Sequence, residues 1–316
     1  MNRLSSQSST TGSAQATIAS LGEILWDLLP SGRRCGGAPA NVAYQAAALG
    51  GVVYLVSRVG DDALGREALQ TLRRPGLSTR FVGQSARLPT GRVSVTLDAE
   101  GTASYEFGRD EAWDHLPWSS EFTELAARLD AVCFGTLGQR GSTAQRTIRR
   151  FLDATTETTL RVLDVNLRPP YYSEAILRAS LQRANVLKLN EGELVELSGL
   201  CELPDTPSEA LQKLLEVFQL RCVALTRGAA GALLVTTDEM SDWQHEPVAV
   251  CDTVGAGDIY TAALVVGLLR GDRLATINRQ ACRLAAYVCT QPGGTPALPQ
   301  ELTDDWTQPI ERVDLE

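Results

Sequence analysis

Two patterns of apolar and polar positions alternate along this chain. Short apolar runs rich in β-branched residues, such as ATIASLG and VVYLVSRVG, predict buried strands. Longer amphipathic or alanine-rich runs, such as APANVAYQAAALG and DALGREALQTLRR, predict helices. The strand pattern returns four more times, with helical sequence in between, in DAVCFG, TLRVLDVN, ANVLKLN and RCVALTRG. Strands that alternate with helices favour right-handed βαβ units, so the chain is predicted to be α/β, with a doubly wound, mostly parallel sheet and helices on both faces.

Two stretches interrupt this alternation. EILWDLLPSGRRC follows the first strand with no helix in between. TGRVSVTLDAEGTASYEFG alternates polar and apolar residues on both sides of a turn at Glu100-Gly101, which predicts a β-hairpin with one solvated face. We therefore expect one α/β domain over residues 16–303, with a small β-sheet lid inserted at about 23–36 and 88–110.

The ends of the chain differ from its middle. Residues 1–15 are rich in Ser and Thr and lack the apolar centre of a signal peptide, so they predict a disordered leader. The acidic residues 304–316 predict a solvated tail. No apolar run approaches the roughly 20 residues that a membrane span requires, and a cytoplasmic protein is expected.

Composition narrows the classes of ligand. The net charge of −9 argues against a general affinity for nucleic acid or anionic membrane, although it permits an anion in a local pocket. Seven cysteines without a CxxC pair indicate reduced thiols rather than a disulfide framework. The two histidines, His115 and His245, lie in unrelated contexts, which argues against a zinc site built from clustered His and Cys.

The stretch DTVGAGD, residues 252–258, carries the clearest candidate chemistry because it leads directly into the apolar run IYTAALVVGLL. Small residues let backbone N–H groups approach a ligand, and amides at a helix N-terminus can hold a phosphate. Asp258 would be repelled by that phosphate, but it suits a general base that removes the proton of an attacking hydroxyl. The alternative is an acid that only complements the helix dipole.

Four motifs in this chain resemble those of the ribokinase-like, or PfkB-type, carbohydrate kinases. DTVGAGD resembles the C-terminal signature of that family, and GGAPANVAYQAAALG resembles its N-terminal signature. KLNEGE is similar to the family's N-x-x-E motif, and TRGAAGALL is similar to its Thr-x-Gly loop on the nucleotide side. The motifs occur in the family's order over about residues 16–300. The resemblance implies Mg²⁺-dependent transfer of the γ-phosphoryl group of ATP to a hydroxymethyl group, without a Walker A loop.

The resemblance also implies roles at the phosphate end of the site. Asp258 corresponds to the catalytic base, and the amides of Gly255, Ala256 and Gly257 correspond to an anion hole. Asn190 and Glu193 are expected to order Mg²⁺ through water. The residues expected on the nucleotide side are Lys188, Asn190, Glu193, Thr226, Gly228, Gly255 and Gly257.

A monovalent cation site is implied next to the anion hole. Asp252 and the carbonyl groups of Val254 and Gly293 are expected to bind K⁺, which would shape the loop and raise the turnover rate. A second interpretation remains open, in which Asp252 caps the turn through its own backbone.

Polar residues near the first strand are candidates for the sugar end, where an unpaired buried polar group costs about 1–3 kcal/mol. Asp27 lies in GEILWDLLP, at the mouth of the first strand, and its alternative is an exposed strand acid. Asn41 follows Gly36 and Gly37, which would let a sugar approach the backbone; its alternative is a turn that starts a helix at Pro39.

DVNLRPPYY resembles the D-x-N-x-R run of fructokinases and 2-keto-3-deoxygluconate kinases, so Asn166 and Arg168 are expected at the acceptor. In the lid, YEFGRDEAW resembles an aromatic-Arg element of fructokinases, carried here by Phe107 and Arg109. Gly108 departs from that pattern, because relatives often have Tyr there.

These resemblances favour a fructokinase that converts ATP and D-fructose to ADP and fructose 6-phosphate. The alternatives are a kinase for 2-keto-3-deoxygluconate or another ketose and, more remotely, a non-catalytic binding module. A homodimer through the lid is expected if Val93, Val95 and Leu97 need cover from a second subunit; the same residues could instead rest on their own core.

Overall fold

The computed structural model describes residues 15–29, 32–97, 103–244 and 246–306. In chain order the strands are β1 Thr17–Leu21, β2 Leu25–Leu29, β3 Gly32–Gly36, β4 Val52–Gly60, β5 Leu77–Ser78, β6 Val82–Ser85, β7 Gly91–Leu97, β8 Ala103–Phe107, β9 Ala131–Gly135, β10 Leu160–Asp164, β11 Val186–Asn190, β12 Cys222–Thr226, β13 Ala232–Val235 and β14 Met240–Trp243. The helices are α1 Ala38–Ala48, α2 Ala63–Thr71, α3 Glu121–Ala126, α4 Ser142–Asp153, α5 Glu174–Leu181, α6 Glu191–Cys201, α7 Pro207–Phe218, α8 Ala256–Arg270, α9 Leu274–Cys289 and α10 Gln300–Thr303.

The main sheet confirms the predicted α/β, doubly wound class. Its order is β14-β13-β12-β11-β10-β9-β1-β4-β5, with β6 paired to β4, and pairing is parallel from β12 to β5. The chain leaves β1 toward β4 on one side and later returns to β9 on the other. The strand order therefore reverses between β1 and β9, and a crevice for ligands is expected at the carboxyl ends of these strands.

Each face of the main sheet is covered by its own group of helices. One apolar cluster joins strand residues such as Ile18 and Val53 to helices α1, α8 and α9. The other joins alternate strand residues such as Ala19 and Leu21 to helices α3 to α7. Because side chains alternate along a strand, each of the strands β1, β4, β9, β10, β11 and β12 contributes to both clusters, and its sequence is apolar almost throughout.

A second, four-stranded sheet has the order β3-β2-β7-β8, and its strands fall inside the ranges predicted for the lid. Val93 of β7 is 1% exposed and lies in a cluster with Leu25 and Phe107, so its own subunit covers it. The side chains of Val95 and Leu97 lie outside the described residues, as does the turn at Glu100-Gly101. A dimer through the lid stays a prediction.

The structure differs from the expectations at one edge and at one end. The antiparallel pairs β12–β13 and β13–β14 extend the sheet where only a loop motif was recognised. At the C-terminal end, the segment predicted to be a solvated tail, 304–316, includes a residue that packs against the core. Trp306 is 3% exposed, and its carbonyl oxygen accepts a hydrogen bond of 2.9 Å from Arg270. A large indole is stabilised by burial even in an acidic segment. Residues 307–316 and nearly all of the predicted leader, 1–15, lie outside the described residues.

No described helix combines the length and the apolar character that crossing a membrane requires.

Candidate active site

A cavity opens at the carboxyl ends of β1, β9 and β10, where the strand order predicts a crevice. Its polar lining comes from residues that end or follow these strands and from helix α8. The residues that line it are Ser20, Glu23, Ala38, Pro39, Val42, Cys133, Phe134, Gly135, Thr136, Leu137, Asp164, Asn166 and Thr261. Asp258 lies one helical turn before Thr261, so the two side chains project from the same face of α8.

The anion-hole residues form the N-terminus of helix α8. Gly255 is the N-cap, with φ of 81°, and no side chain caps the helix there. A Cβ atom on Gly255 would lie 2.4 Å from the Cα atom of Gly294, so only glycine fits this close approach of two backbones. Amides at such an uncapped end can receive an anion, as the sequence predicts.

Asp258 is in the first turn of α8, but it is not an exposed acid that merely complements the dipole. Its side chain is 9% exposed, and its Oδ2 atom accepts a hydrogen bond of 2.8 Å from the amide of Asn41. Burial and the nearby Asp164 raise the pKa of Asp258 to about 6, against the lowering effects of Asn41, Lys188 and Arg168. A carboxylate with that pKa is ionised at neutral pH and is a stronger base than an ordinary Asp.

Asn41 has a contact within the protein that the sequence did not predict. Its Nδ2 atom donates to the catalytic candidate across 217 residues of chain, and the contact with a sugar expected from the sequence stays a prediction. Gly36 and Gly37 lead into α1 just before it. Gly37 has φ of 103°, and a Cβ atom there would lie 2.4 Å from the carbonyl oxygen of Glu23. Gly37 thus lets the start of α1 lie closely against the segment that follows β1.

Lys188 brings a buried positive charge beside the anion hole. Its ammonium lies 3.0 Å from Asp164 Oδ1, and a Cβ atom on Gly257 would lie 2.9 Å from it. Thr261 of α8 donates a hydrogen bond of 2.8 Å to the other oxygen of Asp164. Burial alone would lower the pKa of Lys188, but Asp164, Glu193 and Asp258 together hold it above its ordinary value. A protonated lysine next to helix amides fits a phosphoryl group.

The N-x-x-E motif forms a capping box at the start of α6. Asn190 accepts a hydrogen bond of 3.0 Å from the backbone of Glu193, and Glu193 Oε2 accepts one of 2.8 Å from the backbone of Asn190. Glu193 Oε1 accepts a further bond of 3.0 Å from the backbone of Leu167. Burial raises the pKa of Glu193, and Lys188 opposes that shift. Because both oxygens already hold backbone groups, water-mediated contact with Mg²⁺, as predicted, suits this carboxylate better than direct ligation.

Thr226 is the last residue of the neighbouring strand β12, and Gly228 lies two residues beyond it. Thr226 donates a hydrogen bond of 3.4 Å to the carbonyl oxygen of Leu189, which links the two strand ends. Gly228 has φ of 54°, and a Cβ atom there would meet nothing within 4 Å. Gly228 thus lies at an open surface at the carboxyl edge of the sheet.

On the lid, Asp27 of β2 lies opposite Arg34 of β3 in the antiparallel pairing. Burial and Asp252 raise the pKa of Asp27 to about 6, while Arg168 and Arg34 lower it. A Cβ atom on Gly36 would lie 2.8 Å from Asp27 Oδ2, so the glycine leaves room for this carboxylate. Asp27 is therefore held close to other charged groups of the site, unlike an exposed strand acid.

Asn166 and Arg168 follow β10 in an irregular segment, and Asn166 lines the cavity with φ of 42°. Arg168 donates a hydrogen bond of 2.9 Å to the carbonyl oxygen of Leu167. Its charge acts on three carboxylates, lowering the pKa of each against the effect of burial: Glu23, Asp27 and Asp258.

The two lid residues predicted at the sugar have separate surroundings. Phe107 is 7% exposed, and its ring meets Tyr171 edge-on, with 5.3 Å between the centroids. Arg109 is exposed and takes part in none of the hydrogen bonds or ion pairs found among the described residues. Close by, Arg140 joins the loop after β8 to the core. We call its cluster the lid root, which consists of Gly108, Glu111, Trp113, Asp114 and Arg140.

The residues predicted to hold K⁺ are engaged differently. Asp252 Oδ1 accepts a hydrogen bond of 3.0 Å from the backbone of Val254, and Oδ2 accepts one of 3.0 Å from the backbone of Gly293. Oδ2 also pairs with Arg34 Nη1 at 2.5 Å. The carboxylate is thus surrounded by N–H donors, including a cation supplied by the lid, and this set does not fit an added monovalent ion.

Four residues of the site were missed from the sequence: Glu23, Arg34, Asp164 and Thr261. Glu23 is 3% exposed, and burial, with a smaller contribution from Asp258, raises its pKa to about 7 against the effect of Arg168. A signal existed for Glu23 and Asp164, because each is an acid at the carboxyl end of an apolar strand. Neither Arg34 nor Thr261 stands out from its neighbours in the sequence.

Comparison with known proteins agrees with the motifs. The model of the pfkB family of carbohydrate kinases matches residues 32–301. A fructokinase from Salmonella typhimurium is 32% identical over 265 residues, which cover 80% of this chain and 84% of that protein.

Two solved structures are similar over nearly their full length. An uncharacterized sugar kinase from Pyrococcus horikoshii, in complex with ATP, has a TM-score of 0.77 at 25% identity, covering 93% of this chain and 99% of that chain. The fructokinase from Vibrio cholerae O395, with fructose, ADP and calcium ion bound, has a TM-score of 0.77 at 25% identity, with the same coverage of 93% and 99%.

Proposed function

The chain belongs to the pfkB family of carbohydrate kinases, and on that premise we propose that it is a fructokinase, which transfers the γ-phosphoryl group of ATP to the 6-hydroxyl of D-fructose. The enzyme is a phosphotransferase that acts on a sugar hydroxyl. The observation that carries the proposed mechanism is the buried Asp258 in the first turn of α8, directly after an uncapped Gly255-Ala256-Gly257 segment and hydrogen-bonded by Asn41.

In this mechanism Asp258 accepts the proton of the sugar hydroxyl as its oxygen forms a bond to the γ-phosphorus. The bond from that phosphorus to the bridging oxygen of ATP breaks, and ADP leaves. The amides of Gly255, Ala256 and Gly257 and the ammonium of Lys188 stabilise the charge on the transferring group. Mg²⁺, when bound, supplies further positive charge at the phosphates, and Glu193 would hold it through water.

The nucleotide is expected along the carboxyl edge of β11 and β12. Thr226 and Gly228 offer an open surface there, and Asn190 fixes the start of α6 beside it. The P. horikoshii sugar kinase with ATP bound supports a nucleotide in this fold. Because the reaction consumes ATP, a cytoplasmic location is proposed with it.

At the acceptor, Asp27 is proposed to accept hydrogen bonds from two sugar hydroxyls, and Asn166 and Arg168 to complete the pocket. The charge around Arg168 favours a neutral sugar over a keto-acid. Glu23, Asp27 and Asp258 already interact electrostatically with this guanidinium and partly balance its charge. The carboxylate of 2-keto-3-deoxygluconate would therefore lie near three acidic groups and only one partly balanced cation. The V. cholerae fructokinase with fructose bound supports the same choice.

A comparison of acceptors tests this function. ADP release from MgATP is measured with D-fructose, 2-keto-3-deoxygluconate, D-ribose and adenosine, and the position of the phosphate on the product is read by NMR. We expect the highest kcat/KM with fructose and the product phosphorylated at O6. A higher kcat/KM with the keto-acid would identify the keto-acid, in place of fructose, as the substrate. Absence of turnover with every acceptor would favour the non-catalytic alternative.

A further inference from the structure

Arg34 connects two parts of the site that are far apart in sequence. It lies on lid strand β3, and its Nη1 atom is 2.5 Å from Oδ2 of Asp252, 218 residues away. The side chain of Arg34 is 39% exposed and that of Asp252 is 19% exposed, so solvent screens the pair only in part. Because β3 belongs to the lid and Asp252 begins the anion-hole loop, this pair ties the lid to the loop.

Asp252 in turn holds the backbone on both sides of the anion hole. One oxygen accepts the N–H of Val254, directly before Gly255, and the other accepts the N–H of Gly293. Gly294, the next residue, is the one whose Cα atom a Cβ on Gly255 would contact at 2.4 Å. The carboxylate thus sets the distance between two backbone segments whose close approach shapes the phosphate site.

The stem of Arg34 also packs on this arrangement. A Cβ atom on Gly293 would lie 3.4 Å from Cδ of Arg34, which is ordinary van der Waals contact. The charge of Arg34 also lowers the pKa of Asp27, its cross-strand neighbour. Arg34 is held by packing and by its ion pair with Asp252, in contrast to a freely moving surface arginine.

We propose that Arg34 is a positioning residue that acts through Asp252, and that its guanidinium supplies within the chain the positive charge that a bound K⁺ was expected to supply. The proposal rests on the proposed kinase function. The pair Arg34–Asp252 has no net charge, and a second cation at the same carboxylate would be repelled by the guanidinium. Catalysis should accordingly be independent of monovalent cations, contrary to the expectation from the sequence.

The first test measures kcat at pH 8 and constant ionic strength in KCl, NaCl and tetramethylammonium chloride. The wild type should vary by less than about twofold among the three salts. Arg34→Met keeps the length of the stem but removes the charge. Its kcat in tetramethylammonium should fall about tenfold or more, because a misplaced catalytic loop costs rate, while the fructose KM changes less than about threefold. K⁺ or a low concentration of guanidinium should restore much of that loss.

Two matched variants separate this role from a general effect of charge. Arg33→Met removes the neighbouring arginine of β3, which pairs with Glu67 at 2.5 Å on the exposed side, and it should behave as the wild type in all salts. Arg34→Lys retains a charge and should need no K⁺. If Arg34→Met does not fold, the wild type and Arg34→Lys still decide the question, because K⁺ activation of either contradicts the proposal.

The second test needs no turnover. The melting temperature of substrate-free protein is compared in K⁺ and in tetramethylammonium. K⁺ should raise it for Arg34→Met but not for the wild type or for Arg33→Met. Activation of the wild type by K⁺, full activity of Arg34→Met without K⁺, or an impaired Arg34→Met that neither cation restores would each overturn the proposal. Absence of sugar turnover would instead contradict the proposed function and leave the melting comparison decisive here.

Discussion

The two walls of the site differ in how deeply their charged side chains are buried. We call one the core wall; its side chains are all less than 10% exposed, and it consists of Glu23, Asn41, Asp164, Lys188 and Asp258. The other is the lid wall, which consists of Asp27 and Arg34 with Arg109 beyond them. Charges in the core wall are buried and hydrogen-bonded. In the lid wall, the ion pair of Arg34 with Asp252 is partly exposed to solvent, and Arg109 is exposed.

This difference separates chemistry from recognition. Burying a charged group costs free energy unless the group has a partner, so the buried charges of the core wall are paired or hydrogen-bonded. Burial also shifts the pKa of such groups, which suits proton transfer. Partly exposed ion pairs are weaker and sensitive to salt, which suits a wall that must admit and release a sugar. Substitutions in the core wall should therefore change kcat or stability. Those in the lid wall should mainly change KM, except at Arg34, which acts on the anion-hole loop through Asp252.

The largest effect is expected for Asp258→Asn. Without a base, kcat should fall by about 10²–10⁴, while ATP and fructose still bind, because the amide is isosteric with the carboxylate. Stopped assays for ADP and calorimetric titration of each ligand give the two readouts. Asp27→Asn is the counterpart in the lid wall, and it should raise the fructose KM with a much smaller loss of kcat. A fully active Asp258→Asn would contradict the base assignment.

The next effect concerns how the lid is anchored. In the lid root, Arg140 makes two bonds to Asp114, of 2.7 and 2.8 Å, and another of 2.8 Å to the carbonyl oxygen of Gly108. Arg140→Met would leave buried carboxylates without a cation, and the free energy of unfolding should fall by about 3–5 kcal/mol.

Arg183→Met is the matched control for Arg140→Met. Arg183 pairs with both oxygens of Asp153, at 2.8 and 3.3 Å, but the side chain of Asp153 is 55% exposed. Arg183→Met should lower the free energy of unfolding, measured with urea, by about 1 kcal/mol or less. If both substitutions lowered the free energy of unfolding equally, burial would not distinguish the ion pairs of the lid root from a surface ion pair.

Glu23→Gln tests the cost of charge in the core wall. The pKa of Glu23 is raised from 4.5 to about 7 by burial, so the folded protein favours the protonated form. Its stabilising contribution is complete below pH 4.5 and is lost as the pH rises through about 7. The variant should thus gain stability relative to the wild type between pH 5 and pH 8, by up to about 3 kcal/mol. Urea unfolding at the two pH values measures this difference, and a constant difference would contradict the shift.

Much of the fold could be predicted because the parallel strands are buried on both faces. Their apolar runs, such as ANVLKLN, are distinctive, and helical sequence separates them. The antiparallel strands β13 and β14 have only four residues each and follow a glycine-rich loop. Such short runs do not show a recognisable alternation of apolar and polar residues. The candidate anion hole could likewise be predicted from one contiguous motif, since DTVGAGD contains both the proposed amides and the proposed base.

Contacts between distant segments could not be predicted in the same way. Asn41 and Asp258 are 217 residues apart, and Arg34 and Asp252 are 218 apart. Each pair depends on how the lid and α1 lie against α8, which no local pattern encodes. For that reason the sequence predicted neither the bond from Asn41 to Asp258 nor the ion pair of Asp252 with Arg34.

The smallest effect concerns the hydrogen bond that Asn41 donates to Asp258. It favours the charged carboxylate, and burial still leaves the pKa of Asp258 at about 6. The wild-type kcat should therefore fall about tenfold per pH unit below pH 6, and kcat/KM should fall more steeply because Asp27, with a pKa of about 6, is also protonated. Asn41→Ala should move the midpoint for kcat upward by about one pH unit, since hydrogen bonds to charged groups are worth about 1.5–3 kcal/mol. Circular dichroism confirms folding of the variant across the range. An unmoved midpoint would mean that Asn41 does not tune the base, and that the core wall owes its chemistry to burial alone.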